Sequence, residues 1–150
     1  MRYKKPLSIL GTLLAVALAA LYPQLQHPSP ASKSVTTPLQ RTLSVQEAQA
    51  RHLSDVWVEG QGVVVKVLPD DTRGRRHQRF IVRLSNGKTV LIAHNIDLAP
   101  RLKGLRPGDT VTFRGEFVDN DKGGLVHWTH RDPSGRHEGG WIKYRGRLYR

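Results

Sequence analysis

Seven histidines stand in this chain, and three of them, His127, His130 and His137, fall with Asp132 inside one 11-residue stretch. Neutral imidazole is the commonest biological ligand for zinc, copper and nickel, and such sites draw several donors from nearby backbone. With His94 added, His94, His127, His130 and His137 form a candidate set for a divalent metal such as zinc. Two considerations weigh against it. Residues three apart on a strand point to opposite faces, so His127 and His130 meet one ion only where the strand ends between them. The turn-forming run Asp132-Pro133-Ser134-Gly135 offers such an ending. The spacing also fits no zinc signature, and the plain alternative is a hydrogen-bonded cluster that pins a loop. The same histidines would suit a metal-dependent, nuclease-like hydrolase, with Asp70, Asp71 or Asp97 as further ligands or bases. Each of these aspartates, however, sits where turn chemistry accounts for it. No Ser–His pair of nucleophile and base stands out, so catalytic residues are unassigned and a binding role is favoured over an enzymatic one.

The second chemical feature is charge. The chain carries 24 Lys plus Arg against 12 Asp plus Glu. Such an imbalance favours anionic partners: nucleic acid, acidic glycan or lipid headgroups. Between Thr72 and Ile96 lie Arg73, Arg75, Arg76, Arg79, Arg83 and Lys88 and no acid. From this run Arg75, Arg76, Arg79, Arg83 and Lys88 are the candidate ligand-binding residues. A further cluster, Arg131, Arg136, Lys143, Arg145, Arg147 and Arg150, surrounds Trp141, Tyr144 and Tyr149. Basic and aromatic residues together suit a membrane surface. There is no cysteine, which excludes disulfides, thiolate metal sites and a Cys nucleophile.

The elements that must position these residues read as strands. Phe80, Val82 and Leu84 alternate with Arg79, Ile81 and Arg83; Val90 and Ile92 alternate with Thr89 and Leu91. Asn86-Gly87 between them predicts a two-residue type I′ hairpin. Gly62 to Leu68 is a β-branched strand before them, ending at Pro69-Asp70-Asp71. After a Pro-containing stretch, Asp97 to Leu105, which has room for one helical turn, Val111, Phe113 and Phe117 mark a fourth strand and Leu125 to Thr129 a fifth. Trp141 to Tyr144 and Leu148-Tyr149 predict a short hairpin around Gly146. A three-strand meander, an insertion and two more strands is the order of an OB-fold barrel, with an open SH3-like barrel or small sandwich as the competing architecture. The expected fold is therefore all-β: a five-stranded OB-like barrel over residues 56–150.

Two further segments precede it. Arg2, Lys4 and Lys5 before the uncharged, largely apolar run Pro6 to Tyr22 predict an export signal or signal anchor over residues 1–22, which as a hydrophobic helix would reach the inner membrane. Ala17-Leu18-Ala19 is a small-x-small cleavage pattern, and the charge asymmetry places the chain beyond Tyr22 outside the cytoplasm, on the periplasmic side. Without this segment the chain retains 21 basic against 12 acidic residues. Residues 23–43, with Pro23, Pro28, Pro30 and Pro38, read as a flexible linker. Ser44 and Glu47 form a capping box that opens a short helix within residues 44–55, from about Val45 to Leu53.

The strings LPDD (68–71), HQRFIV (77–82), HNIDLAPR (94–101), Gly108-Asp109 and His127-Trp128-Thr129-His130 resemble the bacterial family known as domain of unknown function 3465. The resemblance spans about residues 58–150. It implies a small exported bacterial domain and brings no catalytic residues with it. The function expected from the residues is an exported module for an anionic ligand, namely single-stranded nucleic acid, acidic glycan or lipid headgroups.

Overall fold

The computed structural model describes residues 42–150. The expected signal segment and nearly all of the expected linker lie outside the described residues. Among the described residues no helix is long and apolar enough to cross a membrane.

The chain enters through β1 (Leu43–Ser44), which pairs in parallel with Val58 and Glu59, so the end of the expected linker already belongs to the sheet. Helix α1 (Val45–Ala50) comes next, capped as its sequence predicts: the Ser44 hydroxyl accepts from the Glu47 amide at 3.1 Å. It stops three residues earlier than expected. His52 turns left-handed (φ 52°), and the Leu53 amide donates back to the Ala48 carbonyl at 3.1 Å. These two features make a Schellman termination. Val45 and Ala48 are fully buried, which ties this single-turn helix to the core.

Strand β2 (Val56–Asp71) is 16 residues long, more than twice the length its β-branched run suggested. Its first half, Val56–Val63, pairs with β5 (Thr110–Val118), and its second, from Gly62 on, with β3 (His77–Leu84). A register shift between Val64 and Lys66 lets the strand turn from one neighbour to the other. At the junction a side chain on Gly62 would strike the Arg83 carbonyl, so the crossing is as close as backbone allows.

β3 pairs with β4 (Thr89–Asn95), β4 runs parallel to β6 (Leu125–His127), and β6 pairs with β5, which returns to β2. The hydrogen-bonded ladder of these five strands is thus a closed circuit inside one eight-stranded mixed sheet. The chain is mostly β, as its alternation predicted. Inside lie the predicted rows: Phe80, Val82 and Leu84 from β3, Val90 and Ile92 from β4, Val111, Phe113 and Phe117 from β5. Each full burial of such a side chain contributes roughly 1.5–3 kcal/mol. β7 (Trp141–Tyr144) and β8 (Arg147–Tyr149) form the expected terminal hairpin against β5.

The two hairpin turns differ in chemistry, and the first departs from its prediction. Between β3 and β4 the loop is Ser85-Asn86-Gly87, and only Gly87 has positive φ (79°). Asn86 serves through its side chain, which accepts from the Lys88 amide at 3.1 Å. This is a three-residue loop with a left-handed glycine, not the two-residue type I′ turn predicted. The turn with both central residues at positive φ is Arg145-Gly146, at 48° and 74°.

The stretch from Asp97 to Leu105 forms no helix: one turn is closed by the Ala99 amide on the Asn95 carbonyl at 3.1 Å, and a second lies at Lys103-Gly104. Buried Gln78 fastens it. Its amide exchanges two hydrogen bonds with the Leu102 backbone, at 2.9 and 3.1 Å, and Leu102 is 1% exposed.

Candidate functional site

Where β3 begins and β4 and β6 end, the sheet leaves a recess of about 190 Å³, lined by Arg75, His77, Asn95, His127, Trp128 and His130. Register assembles it. His77 and Asn95 are cross-strand partners on β3 and β4. His127, the last residue of β6, lies opposite Glu116 of β5 on the outer face. The chain then bends sharply: Trp128 adopts φ 53°, a left-handed conformation costly for a bulky residue. That bend, before the Asp132 turn that was expected to end the strand, brings His127 and His130 to one recess.

The ring states are set by their partners. His77 Nδ1 lies 2.8 Å from the Arg75 carbonyl and His130 Nδ1 2.7 Å from the Arg131 carbonyl. A carbonyl only accepts, so Nδ1 carries a proton in both rings, and in a neutral ring the lone pair is then on Nε2. His127 Nε2 is shielded and has no hydrogen-bond partner, with Glu116 Oε2 3.5 Å away. Burial lowers the His127 pKa below the usual imidazole value, and the Glu116 charge partly opposes that. Trp128 lies between two imidazoles, with ring centres 5.3 Å from His130 and 5.0 Å from His137.

His94 is elsewhere. It continues the inward row of Val90 and Ile92 and is fully buried. Its Nε2 donates to the Pro100 carbonyl at 3.1 Å, and its Nδ1 accepts from the Thr129 hydroxyl at 2.8 Å. Both nitrogens are engaged, and burial, the largest influence, pushes its pKa down to about 4. His137 stands exposed on the loop, and Asp132 is committed to that loop's structure. Its carboxylate accepts from the Ser134 hydroxyl and from the amides of Ser134, Arg136 and His137, which hold it well below the usual carboxylate range. The expected set His94, His127, His130 and His137 is therefore not gathered. Among the described residues no group of three or more His, Cys, Asp or Glu is arranged to hold a metal ion.

The candidate basic residues divide into engaged and free. Arg76 pairs with Asp97 at 2.8 Å and also donates to it from its backbone amide at 2.7 Å. Arg79 folds onto the Pro69 carbonyl with two bonds, at 3.0 and 3.1 Å. Arg75, Arg83 and Lys88 are exposed and make no ion pair among the described residues. Arg75 borders the recess, Arg83 a broader cleft with Gln61, Val63 and Val65, and Lys88 a third with His52 and Asp119. In the C-terminal cluster Arg145 lies 4.9 Å over the Tyr144 ring and Arg147 5.6 Å over Tyr149. Both tyrosines are buried, so the basic residues there stand without exposed tyrosine rings beside them.

Sequence reasoning left His77, Asn95 and Trp128 out of the site. The signal for the first two was off by one residue: pairing outward from a two-residue Asn86-Gly87 turn sets His77 opposite Ile96, and the three-residue loop found shifts its partner to Asn95. Nothing in the sequence marks Trp128 as left-handed.

No curated protein matches this chain. A family model described as protein of unknown function (DUF3465) matches residues 31–150, which takes in every described element and most of the linker before them. By that match the chain belongs to the DUF3465 family.

Proposed function

We propose that the circuit β2-β3-β4-β6-β5 is an OB-type barrel and that the protein binds single-stranded nucleic acid on the outer face of β3 and β4. The order of the circuit and the parallel β4–β6 pair support the fold reading. On that reading β3 and β4 are the second and third OB strands, the face on which such barrels take oligonucleotides. The observation that carries the functional reading is the recess: an arginine, three imidazoles and an indole converge on it, and no carboxylate is among its lining residues. A cationic track with an aromatic ring on which a base can stack is what a single strand requires. Arg75 and Arg83 bracket β3, eight residues apart, so the track is about 26 Å long at roughly 3.3 Å per residue. Lys88 extends it past the hairpin. The C-terminal cluster is the weaker alternative, a membrane surface, because its tyrosines face inward. In this reading the module works outside the cytoplasm, beside the inner membrane, held or released at residues 1–22.

Fluorescence anisotropy of a labelled single-stranded oligonucleotide, compared with a sulfated glycan and anionic vesicles, tests the proposal. Preference for the oligonucleotide is expected. Equal or tighter binding of glycan or vesicle would overturn it.

A further inference from the structure

The lining of the recess goes beyond a general affinity for anions. Its size selects the ligand. At about 190 Å³ it is smaller than the roughly 300–1,000 Å³ of pockets that enclose whole small molecules, and suits one phosphate group with its waters. We propose that the recess is a subsite for a single backbone phosphate, which His77 and His130 make competent by taking up a proton. This rests on the nucleic-acid reading above.

Donors and acceptors decide what the recess can hold. A phosphodiester offers only acceptor oxygens. With Nδ1–H fixed on the carbonyls of Arg75 and Arg131, neutral His77 and His130 have only a lone pair left at Nε2. Neutral rings therefore leave Arg75 as the only charged donor among the lining residues. Protonation turns each Nε2 into a charged donor while the bond to the carbonyl stays, so the ring need not move to bind the anion. Imidazole is the side chain whose charge ordinarily changes between about pH 5 and 8, which sets the range for the test. Phosphate binding and proton uptake are then linked, and each strengthens the other.

The charged and titratable neighbours come from every side. β3 supplies His77, with Arg75 just before it; β4 supplies Asn95, with neutral His94 behind it in the core. β5 supplies Glu116 against His127 of β6, and the loop after β6 supplies Trp128, His130, Arg131 and His137. Glu116 faces His127, with Asp55 also within reach of that ring; Asp97 lies close enough to His77 to interact with its charge, and Asp132 accepts from the His137 amide. The Trp128 ring, with His130 and His137 about it, attracts an imidazolium more than a neutral ring.

Anisotropy of a fluorescent oligothymidylate with the full-length protein, at pH 5.5 and 7.5 and constant ionic strength, tests the subsite, with inorganic phosphate followed separately by thermal shift. The expected result is binding about tenfold tighter at pH 5.5, the change that an average uptake of about half a proton supplies over two pH units. Other histidines also charge on acidification, so the deciding quantity is the part lost in His77→Gln plus His130→Gln. Whatever its affinity at pH 7.5, that variant should gain less than about twofold on going to pH 5.5. His77→Gln alone, whose amide can keep the bond to the Arg75 carbonyl, should lose about half of the logarithmic gain and carries the test if the double variant does not fold. Oligonucleotide binding with the same pH response in wild type and variant overturns the subsite and leaves the module standing. Acid-dependent stabilisation by phosphate without oligonucleotide binding keeps the subsite and overturns the module.

Discussion

Acidification from pH 7 to pH 4.5 should destabilise this protein mainly through His94. The ring is fully buried, and as a neutral imidazole it donates to Pro100 and accepts from Thr129, so both nitrogens are satisfied without a charge in the core. Its folded pKa, about 4, lies below the unfolded value of 6.5. Between those values the unfolded chain binds the proton more strongly, so the stability from neutral His94 is complete above about pH 6.5 and drains away as pH falls to about 4. At about 1.4 kcal/mol per pH unit, the full interval is worth about 3 kcal/mol. Asp97, Asp109 and Asp132 have lowered pKa values instead, so their contribution is lost below the ordinary carboxylate value of 3.8 and leaves this window clear. Urea unfolding followed by tryptophan fluorescence at several pH values measures the loss. His94→Leu should cost about 2–4 kcal/mol at pH 7 by stranding the Thr129 hydroxyl and the Pro100 carbonyl, yet flatten most of the decline between pH 6.5 and 4.5. A decline of unchanged slope in His94→Leu would refute the assignment, and place the acid sensitivity on His127 or on the carboxylates.

Two substitutions test the framework around the recess. A side chain at Gly115 would meet the carbonyl of His127, so Gly115→Ala should displace β6, lower the unfolding midpoint and change the His127 imidazole NMR signals. A folded variant with unchanged signals would show that β6 has slack. The Tyr144 hydroxyl donates to Asp109 at 2.7 Å and holds that carboxyl below the usual range. Tyr144→Phe should therefore lower the urea midpoint and raise the Asp109 pKa toward its ordinary value, as followed by carboxyl NMR titration. An unmoved Asp109 titration would contradict this.

Much of the fold was legible because side-chain alternation is a property of single strands. Phe80, Val82 and Leu84 face inward as their parity requires, and so do Val90 and Ile92. The same rule extended by two residues puts His94 in the core, where it cannot serve a surface metal site; residue type alone suggests a ligand, and parity overrules it. What the sequence hid depends on backbone choices that several residue types allow. Asn86-Gly87 suits both a two-residue turn and the three-residue loop found, whereas Arg145 takes a left-handed φ that its type does not announce. The length of β2 was obscured because its β-branched run begins only at Gly62; a side chain at Gly60 would meet those of Phe113 and Val45, and one at Gly62 the Arg83 carbonyl. In the recess, the decisive bend at Trp128 is set by tertiary packing, and the division of arginines into engaged and free depends on which carboxylates and carbonyls the fold brings near them.

The most direct test of the functional account is the salt dependence of single-strand binding. Arg75, Arg83 and Lys88 are the candidate cations along β3 and its hairpin that neither pair with a carboxylate nor fold onto a carbonyl among the described residues. Three phosphate contacts predict a slope of about −2 in log affinity against log salt concentration. Replacing all three by serine should lower the affinity and bring the slope close to zero, whereas replacing Arg76, already held by Asp97, should leave it near −2. An affinity that is insensitive to salt, or a triple variant that keeps the wild-type slope, would contradict the account.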